Sequence, residues 1–265
     1  MDSAPNLSNI ERQRKILAEI ETRQRISVGH ICELYHVSEA TARRDLEQMA
    51  AQGKIQRVHG GAIVNQPVVA ARSAPPELPL IDRSMEQRDE KQRIGAAAAG
   101  MIRDGESVFI SSGTTAVEVA RNLKDRRNLT IITNSLQVIN LLAGEPGISL
   151  VSLGGIYRST EQSFIGHISE QALAEVRADK VIFGIRSIDL EQGLTNDYLS
   201  ETRTDRAILK IGREVIVIAD HTKLGRLSTA FVAPLSAVQR LVTDRLAPPE
   251  FVQALEGLGI QVLVV

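Results

Sequence analysis

The sequence predicts a two-domain α/β protein, with a small helical domain over residues 1–64 and a larger domain over residues 81–265 built on a largely parallel sheet. Its length of 265 residues, with 43% hydrophobic and 24% charged residues, suits two globular domains of ordinary size. Four of the nine prolines fall within residues 67–79 among small Ala and Ser residues, which predicts a linker over residues 65–80. Beyond the linker, short apolar runs alternate with helical stretches, the pattern of a sheet covered by helices on both faces.

Apolar spacing in the first domain predicts three helices followed by a hairpin. We expect helices over residues 10–22, 28–35 and about 39–52, and hairpin strands over residues 54–58 and 62–64 joined through Gly60 and Gly61. Ser38 is well placed to cap the third helix. The buried stripe of that helix is predicted at Ala42, Leu46, Met49 and Ala50. Its outer face is predicted at Glu39, Thr41, Arg44, Asp45 and Gln48, with Arg43 on the flank.

A helix pair, a capped third helix and a basic hairpin are typical of a winged helix-turn-helix, whose third helix enters the major groove of DNA. Arginine can bind guanine through two hydrogen bonds or hold a phosphate, and the hairpin reaches neighbouring phosphates. The predicted DNA-binding residues are Ser38, Thr41, Arg43, Arg44, Lys54, Arg57, His59 and Gly60. Taken alone, an Arg-Arg pair on a helix is more often an ordinary solvated face, so the prediction depends on the whole pattern.

Overall charge gives little support to a nucleic-acid partner. The formal net charge is −1 and the sequence pI is about 6.5. Residues 1–66 hold nine basic and eight acidic residues, so any preference for DNA must come from the clustering of basic groups near the third helix. With no Trp and only 3% aromatic residues, the chain lacks the stacking platforms of single-strand binders.

Two motifs in this domain resemble the DeoR family of bacterial transcriptional regulators. They are Val37-Ser38-Glu39-Ala40-Thr41-Ala42-Arg43-Arg44-Asp45-Leu46 and Arg57-Val58-His59-Gly60-Gly61-Ala62, with Ala42 replacing a larger aliphatic residue. The resemblance implies that Arg43 and Arg44 contact operator DNA. It also implies that the second domain is a sugar-phosphate sensor.

The second domain is predicted to contain seven strands and six main helices. The predicted strands cover residues 107–110, 129–133, 149–153, 180–184, 214–219, 240–243 and 260–265. The predicted helices cover residues 88–102, 115–123, 136–143, 169–176, 198–211 and 249–258. In such a sheet a ligand binds at the carboxyl ends of the strands.

The turn after the first of these strands is a candidate phosphate site. Ser111 to Thr115 join a strand to a helix, so that backbone amides and hydroxyl groups would meet an anion with the helix dipole behind them. An ordinary capped turn is an equally good interpretation. The spacing fits neither a P-loop nor a dinucleotide motif, and we predict no catalytic residue, metal or cofactor.

Other strand ends should bring polar or small residues to the same edge, although each is also common as a cap, turn or surface ion pair. Together they suit a polyol phosphate, with donors for the phosphate and carboxylates for the hydroxyl groups. The predicted ligand-binding residues are Ser112, Gly113, Thr114, Thr115, Asn134, Ser135, Gly154, Gly155, Gly184, Asp189, Glu201, Asp220 and Lys223.

The sensor motifs also resemble the DeoR family, whose sensor fold is similar to ribose-5-phosphate isomerase. The matching stretches are 112–115, 133–135, 153–155 and 219–223. Ser111 stands where the family often has Asp. Arg186 occupies a position that is usually small, where it either favours an extra acidic group on the ligand or faces solvent.

These observations predict a DNA-binding transcriptional regulator, a repressor of a carbohydrate catabolic operon. Its expected partners are double-stranded operator DNA, a phosphorylated sugar and further copies of the chain in a dimer or tetramer, with no membrane partner. A cytoplasmic location is expected because no signal peptide or membrane span is apparent and Cys32 is the single cysteine. The alternative is a sugar-phosphate isomerase with an accessory DNA-binding domain. Residues 184–189 argue against it, since they lack the paired acidic residues of the isomerases that the domain resembles.

Overall fold

A computed structural model describes residues 9–23, 25–51, 55–58, 60–64, 72–73 and 80–265. Its contacts divide the chain into two units, residues 1–70 and residues 71–265. Within the described residues, no helix has both the length and the apolar character needed to cross a bilayer.

The N-terminal unit contains three helices and a three-stranded antiparallel sheet. The elements are α1 (Asn9–Arg23), β1 (Arg25–Ser27), α2 (Val28–Tyr35), α3 (Glu39–Ala51), β2 (Ile55–Val58) and β3 (Gly61–Val64), with strand order β1-β3-β2. The three predicted helices and the hairpin are confirmed, whereas β1 was not predicted. Gly61 allows β1 to pass close by, because a Cβ atom at this position would lie 2.0 Å from the Ile26 carbonyl oxygen.

Side-chain caps and an apolar core fix these helices. Ser27 Oγ accepts a hydrogen bond from the His30 amide at 3.1 Å, and Ser38 Oγ accepts one from the Thr41 amide at 3.2 Å, so each cap satisfies a free amide at a helix start. The core is formed mainly by Ile16, Ile20, Ile31, Ala42, Leu46, Met49 and Ile55.

Asp45 does not lie on the exposed face of α3, so the expectation from helical spacing was wrong. It is buried, and its carboxylate accepts hydrogen bonds from Arg12 Nε at 2.6 Å and from Arg12 Nη2 at 3.2 Å. Gln13 Nε2 adds a third hydrogen bond at 3.3 Å. The ion pair joins α1 to α3. Because its charge is paired, the Asp45 carboxylate can be buried at the edge of the apolar stripe of α3.

The C-terminal unit contains seven helices and fourteen strands among its described residues. The helices are α4 (Leu80–Arg83), α5 (Arg88–Gly100), α6 (Thr114–Arg121), α7 (Leu136–Leu142), α8 (His167–Glu175), α9 (Leu199–Ile211) and α10 (Pro249–Gly257). The strands are β4 (Arg72–Ser73), β5 (Ser107–Ile110), β6 (Leu129–Thr133), β7 (Ile148–Ser152), β8 (Ile156–Arg158), β9 (Ser163–Ile165), β10 (Ala178–Gly184), β11 (Ser187–Asp189), β12 (Gly193–Asn196), β13 (Gly212–Ile218), β14 (Arg226–Leu227), β15 (Ala230–Ala233), β16 (Arg240–Thr243) and β17 (Gln261–Val264).

The main sheet is fully parallel, with strand order β17-β16-β13-β10-β5-β6-β7. Both faces are covered. Val181 and Phe183 of β10 pack into the core that includes α8, α9 and α10, while Ile182 between them packs into the core that includes α5, α6 and α7. The strand order reverses between β5 and β10, and this is the position where open α/β sheets form a ligand crevice.

Smaller β elements surround this sheet. An antiparallel sheet has the order β11-β12-β15, β8 and β9 form a hairpin, and β4 pairs in parallel with β14. Part of the predicted linker, Arg72–Ser73, therefore belongs to the C-terminal unit, and residues 65–71 and 74–79 lie outside the described part of the chain.

Candidate functional site

A polar cleft of the C-terminal unit lies at the carboxyl ends of β5, β6, β10 and β13. We call it the strand-end cleft, and it encloses about 740 Å³ of non-protein space, part of it open to solvent. Its polar side chains are Arg83, Lys91, Ser111, Ser112, Thr114, Thr115, Asn134, Glu161, Arg186, Asn196, Glu201, Asp205, Asp220 and Lys223. Gly113 and Gly184 also line it.

The start of α6 lines the cleft. Gly113 precedes the helix at φ 115°, a backbone conformation that favours glycine, and no described side chain caps the helix. The amides at the start of α6 therefore have no side-chain acceptor within the described chain, and they carry the positive end of the helix dipole. Ser111 is used structurally, because its Oγ accepts a hydrogen bond from the Gly184 amide at 2.9 Å and donates to the Ser112 carbonyl at 3.1 Å.

Four basic side chains line the cleft. Lys91 Nζ donates to the backbone carbonyls of Arg83 and Glu86, both at 2.6 Å. The pKa of Lys91 is lowered to about 8, chiefly by burial; the Asp220 carboxylate opposes this shift, and the charges of Lys223 and Arg83 reinforce it. The pKa of Lys223 is also lowered, again chiefly by burial.

The remaining basic groups differ in their pairing. Arg186 is buried and donates from Nε to Asp197 at 2.9 Å, so it does not face solvent. Arg83 forms an ion pair with Glu161. Lys223, in contrast, makes no hydrogen bond or ion pair through its ammonium group to any residue that the structure describes.

Carboxylates and amides also line the cleft. Asn196 Nδ2 donates to Asp205 at 3.0 Å, and Glu201 is paired with Arg158, whose guanidinium lies 4.4 Å from the centre of the Tyr198 ring. Asp220 is buried and accepts from the backbone amide and the hydroxyl group of Thr222.

Asn134 links this cleft to the β8–β9 hairpin. Its Nδ2 donates to the Phe164 carbonyl at 3.1 Å, and its backbone carbonyl accepts from the Phe164 amide at 2.8 Å. Its buried Oδ1 has no hydrogen-bond partner among the described residues. An acceptor atom is therefore left for a donor in the cleft.

Nine of the thirteen predicted ligand residues line the strand-end cleft: Ser112, Gly113, Thr114, Thr115, Asn134, Gly184, Glu201, Asp220 and Lys223. Ser135, Gly154, Gly155 and Asp189 do not line it. Ser135 caps α7 through the Val138 amide, and Asp189 binds the amides of Glu191 and Gln192 in a turn. Gly154 accepts a hydrogen bond from Ser169, and a Cβ atom at Gly155 would lie 2.3 Å from Ser169 Oγ.

Sequence reasoning missed five polar residues of the cleft: Arg83, Lys91, Glu161, Asn196 and Asp205. For two of them a signal was present. Lys91 stands three residues before Ile94 and seven before Ala98, in the buried stripe of α5, and Asp205 stands three residues before Ile208, in the buried stripe of α9. A charged residue in an apolar stripe is unusual unless it has a partner or a ligand.

In the N-terminal unit, the described candidate residues gather at the start of α3 and on the hairpin. Arg43 forms an exposed ion pair with Glu39 at 2.9 Å, and Arg44 is exposed. Arg57 of β2 donates to the Arg43 carbonyl at 3.4 Å, which brings the hairpin against α3. Ser38 Oγ and Thr41 Oγ1 are 2.9 Å apart, Gly60 lies in the exposed turn at φ 81°, and Lys54 and His59 lie outside the described residues.

Comparison with known proteins finds two domain families in this chain. Residues 12–68 match the DeoR-like helix-turn-helix domain, and residues 86–245 match the DeoR C terminal sensor domain. Transcriptional repressor AccR of Agrobacterium fabrum is 37% identical over 89% of this chain and 90% of its own length. The glycerol-3-phosphate regulon repressor of Escherichia coli is 33% identical over 96% of this chain and 98% of its own length.

Among solved structures, ribose 5-phosphate isomerase A from Methanocaldococcus jannaschii is similar with a TM-score of 0.39 and 18% identity, over 52% of this chain and 55% of that chain. The two relatives named above are both named as repressors. With both domain matches in the same chain, this protein belongs to the DeoR family of transcriptional regulators.

Proposed function

We propose that the protein is a cytoplasmic transcriptional repressor of a carbohydrate catabolic operon, which releases its operator when the strand-end cleft binds a phosphorylated sugar. The observation that carries the proposal is that the lining of this cleft contains both an anion-binding group and a hydroxyl-binding group of residues. A ligand with a phosphate and several hydroxyl groups matches both.

The anion-binding group combines the start of α6 with Lys91 and Lys223. Helix starts bind phosphate through free backbone amides and the helix dipole. Lys223 adds a cation that no described group neutralises through contact. Lys91 lines the cleft together with Thr114 and is held in place by two carbonyl oxygens, so its position is fixed before the ligand arrives.

The hydroxyl-binding group consists of Glu201, Asp205, Asn196 and Asn134. Carboxylate and amide oxygens accept hydrogen bonds from hydroxyl groups, and the free Oδ1 of Asn134 is buried where a hydroxyl donor would satisfy it. A free phosphate ion uses only the anion-binding group. We therefore expect phosphorylated sugars to bind more tightly than inorganic phosphate or unphosphorylated sugars.

The N-terminal unit supplies the contacts to operator DNA through α3 and the β2–β3 hairpin. A single small module contacts few base pairs, so we expect a homodimer or homotetramer on repeated half-sites. The names of two relatives, both of which are called repressors, support the direction of regulation.

A thermal-shift screen of sugar phosphates against the matching free sugars tests the effector. A ligand that binds only the native state raises the melting temperature. At a ligand concentration of 100 times Kd, it adds about 2.7 kcal/mol to the free energy of unfolding. The variant Lys223→Gln should lose most of this shift. The variant Lys124→Gln, which changes a half-exposed surface lysine, should keep it. Equal shifts for sugars and sugar phosphates would contradict the proposal.

Selection of binding sites from random DNA duplexes, followed by gel-shift titration, tests the DNA-binding role. We expect Arg44→Ala to weaken binding to the selected site by about tenfold or more, in line with a contact of 1–3 kcal/mol. Arg93→Ala, which removes an exposed arginine of α5, is the control. Adding the effector should release the DNA, and a sequence-independent profile for the wild type would contradict operator recognition.

A further inference from the structure

The first described helix after the linker forms a wall of the strand-end cleft. Arg83 at the end of α4 lines the cleft, and Lys91 of α5 donates to the carbonyls of Arg83 and Glu86 from the same side. A phosphate bound at the start of α6 would thus be near Arg83, which belongs to α4, and near Lys91, which holds the end of α4.

The tip of the β8–β9 hairpin holds α4 on its other side. The Leu80 amide donates to the Thr160 carbonyl at 2.9 Å, and the Arg83 guanidinium pairs with the Glu161 carboxylate, both side chains being about nine-tenths buried. Upstream, β4 pairs with β14, which follows the loop containing Lys223. The described parts of the linker region are therefore attached to the hairpin tip, whose Glu161 lines the cleft, and to β14, which follows the loop of the cleft residue Lys223.

A phosphate and Glu161 would compete for the same guanidinium. Arginine binds phosphate through two parallel hydrogen bonds, and a phosphate monoester carries up to two negative charges against one on a carboxylate. Arg83 is buried, so it must keep an anionic partner, and its hydrogen bonds to one anion are weakened when it turns toward another.

We propose that Arg83 exchanges Glu161 for the phosphate of the effector, and that this exchange loosens α4 from the hairpin tip and so transmits occupancy of the cleft to the linker. The inference rests on the proposed function, because it takes the ligand to be a phosphate ester bound at the start of α6. It adds Arg83 to the residues that recognise the effector and makes the Arg83–Glu161 pair the first contact that changes.

Hydrogen exchange on the full chain tests this exchange, with inorganic phosphate as the probe and chloride at the same ionic strength as the reference. Phosphate should protect residues 111–118 and should increase exchange in residues 80–86 and 159–164 by about fivefold, the lower range of allosteric coupling. Protection of residues 111–118 without any change in the other two segments would overturn the coupling and leave the phosphate site intact. No protection of residues 111–118 would overturn both.

The variant Glu161→Gln gives a second test that depends on the sign of the effect. It removes the competing charge, so phosphate should bind about tenfold more tightly, which corresponds to ~1.4 kcal/mol of binding free energy. Titration calorimetry measures this affinity. Residues 80–86 should already exchange fast without phosphate. The control Glu90→Gln, which removes a surface pair with Arg93, should change neither. Weaker or unchanged phosphate binding in Glu161→Gln would contradict the proposal, because a carboxylate that only supports the fold does not compete with the ligand.

Discussion

Lys91 stands in the buried stripe of a helix, where a basic side chain is costly unless it is satisfied. Two carbonyl oxygens meet that requirement, yet burial still lowers its pKa to about 8. A third N–H of the ammonium group remains to meet an anion in the strand-end cleft. The residue is therefore placed to make effector binding depend on pH.

Affinity for a phosphorylated sugar should fall as pH rises through about 8, because Lys91 loses its proton while a phosphate monoester, with its second pKa near 6, stays doubly charged. Below that pH the ammonium form binds the anion, and binding in turn raises its pKa. Titration calorimetry at several pH values checks this.

The variant Lys91→Arg keeps its charge over the whole range and should flatten most of the pH dependence. The rest should come from Lys223, whose pKa burial also lowers. A wild-type affinity that is constant from neutral to alkaline pH would show that Lys91 does not contact the ligand.

Which residues of the site could be predicted depended on their place relative to the strands. Thr115, Asn134 and Asp220 follow predicted strands, and the parallel order brings such ends together. Glu161 and Asn196 lie in the β8–β9 hairpin tip and in β12, far from any predicted strand end. Tertiary packing places these two residues in the cleft, and the local sequence pattern does not predict that packing.

At the scale of elements, α5 and α6 touch at a glycine. A Cβ atom at Gly95 would lie 2.6 Å from Glu118 Cβ and 2.7 Å from the Glu118 carbonyl carbon. The variant Gly95→Ala should therefore push the helices apart and lower the free energy of unfolding by about 1–3 kcal/mol, the usual cost of overpacking.

The same helix supplies the control. Gly100→Ala places its Cβ atom where no other atom lies within 4 Å, so its stability should be equal to or slightly above the wild type. Urea unfolding followed by circular dichroism measures both variants. Equal stability of the two would mean that α6 moves aside at no cost.

In the N-terminal unit, the buried ion pair Arg12–Asp45 joins helices α1 and α3. The variant Asp45→Ala leaves a mostly buried guanidinium without this carboxylate, and removing one partner of a buried ion pair costs about 3–5 kcal/mol. Differential scanning calorimetry should show that the N-terminal unit unfolds in a transition at a lower temperature. Glu47→Ala changes an exposed residue of the same helix and should leave that transition in place.

Long elements were predictable and short ones were not. Apart from the edge strands β7 and β17, the strands of the main sheet are largely buried apolar runs. Their helices carry clear stripes, and the positions of these elements agree with prediction within a few residues. β8, β9 and β11 have three residues each, too few for a period to be visible. Asp45 was misplaced for a related reason: spacing gives the angle of a residue around a helix, but not the partner that makes its burial acceptable.

At the scale of the whole molecule, the net charge of −1 conceals a division between the two units. Residues 1–66 have a balance of +1, and the basic groups that count are those at the start of α3 and on the hairpin. Specificity for DNA must then come from placement and from repeated copies of the chain. Light scattering should accordingly detect a dimer or tetramer.

If the protein works as proposed, effector and operator affinities are linked reciprocally, since each ligand then changes the affinity for the other by the same factor. A Gly-Ser insertion of six residues after Ala70, at the boundary of the two units and within the predicted linker, should reduce this factor toward one. The reason is that a flexible insertion no longer transmits a change at α4, whereas the strand-end cleft and α3 keep their own residues. Gel-shift and calorimetric titrations of the insertion variant should therefore give unchanged affinities for operator alone and effector alone. Neither ligand should change the affinity for the other. If the effector still releases the operator by the wild-type factor, the signal passes between the units by a route other than the linker.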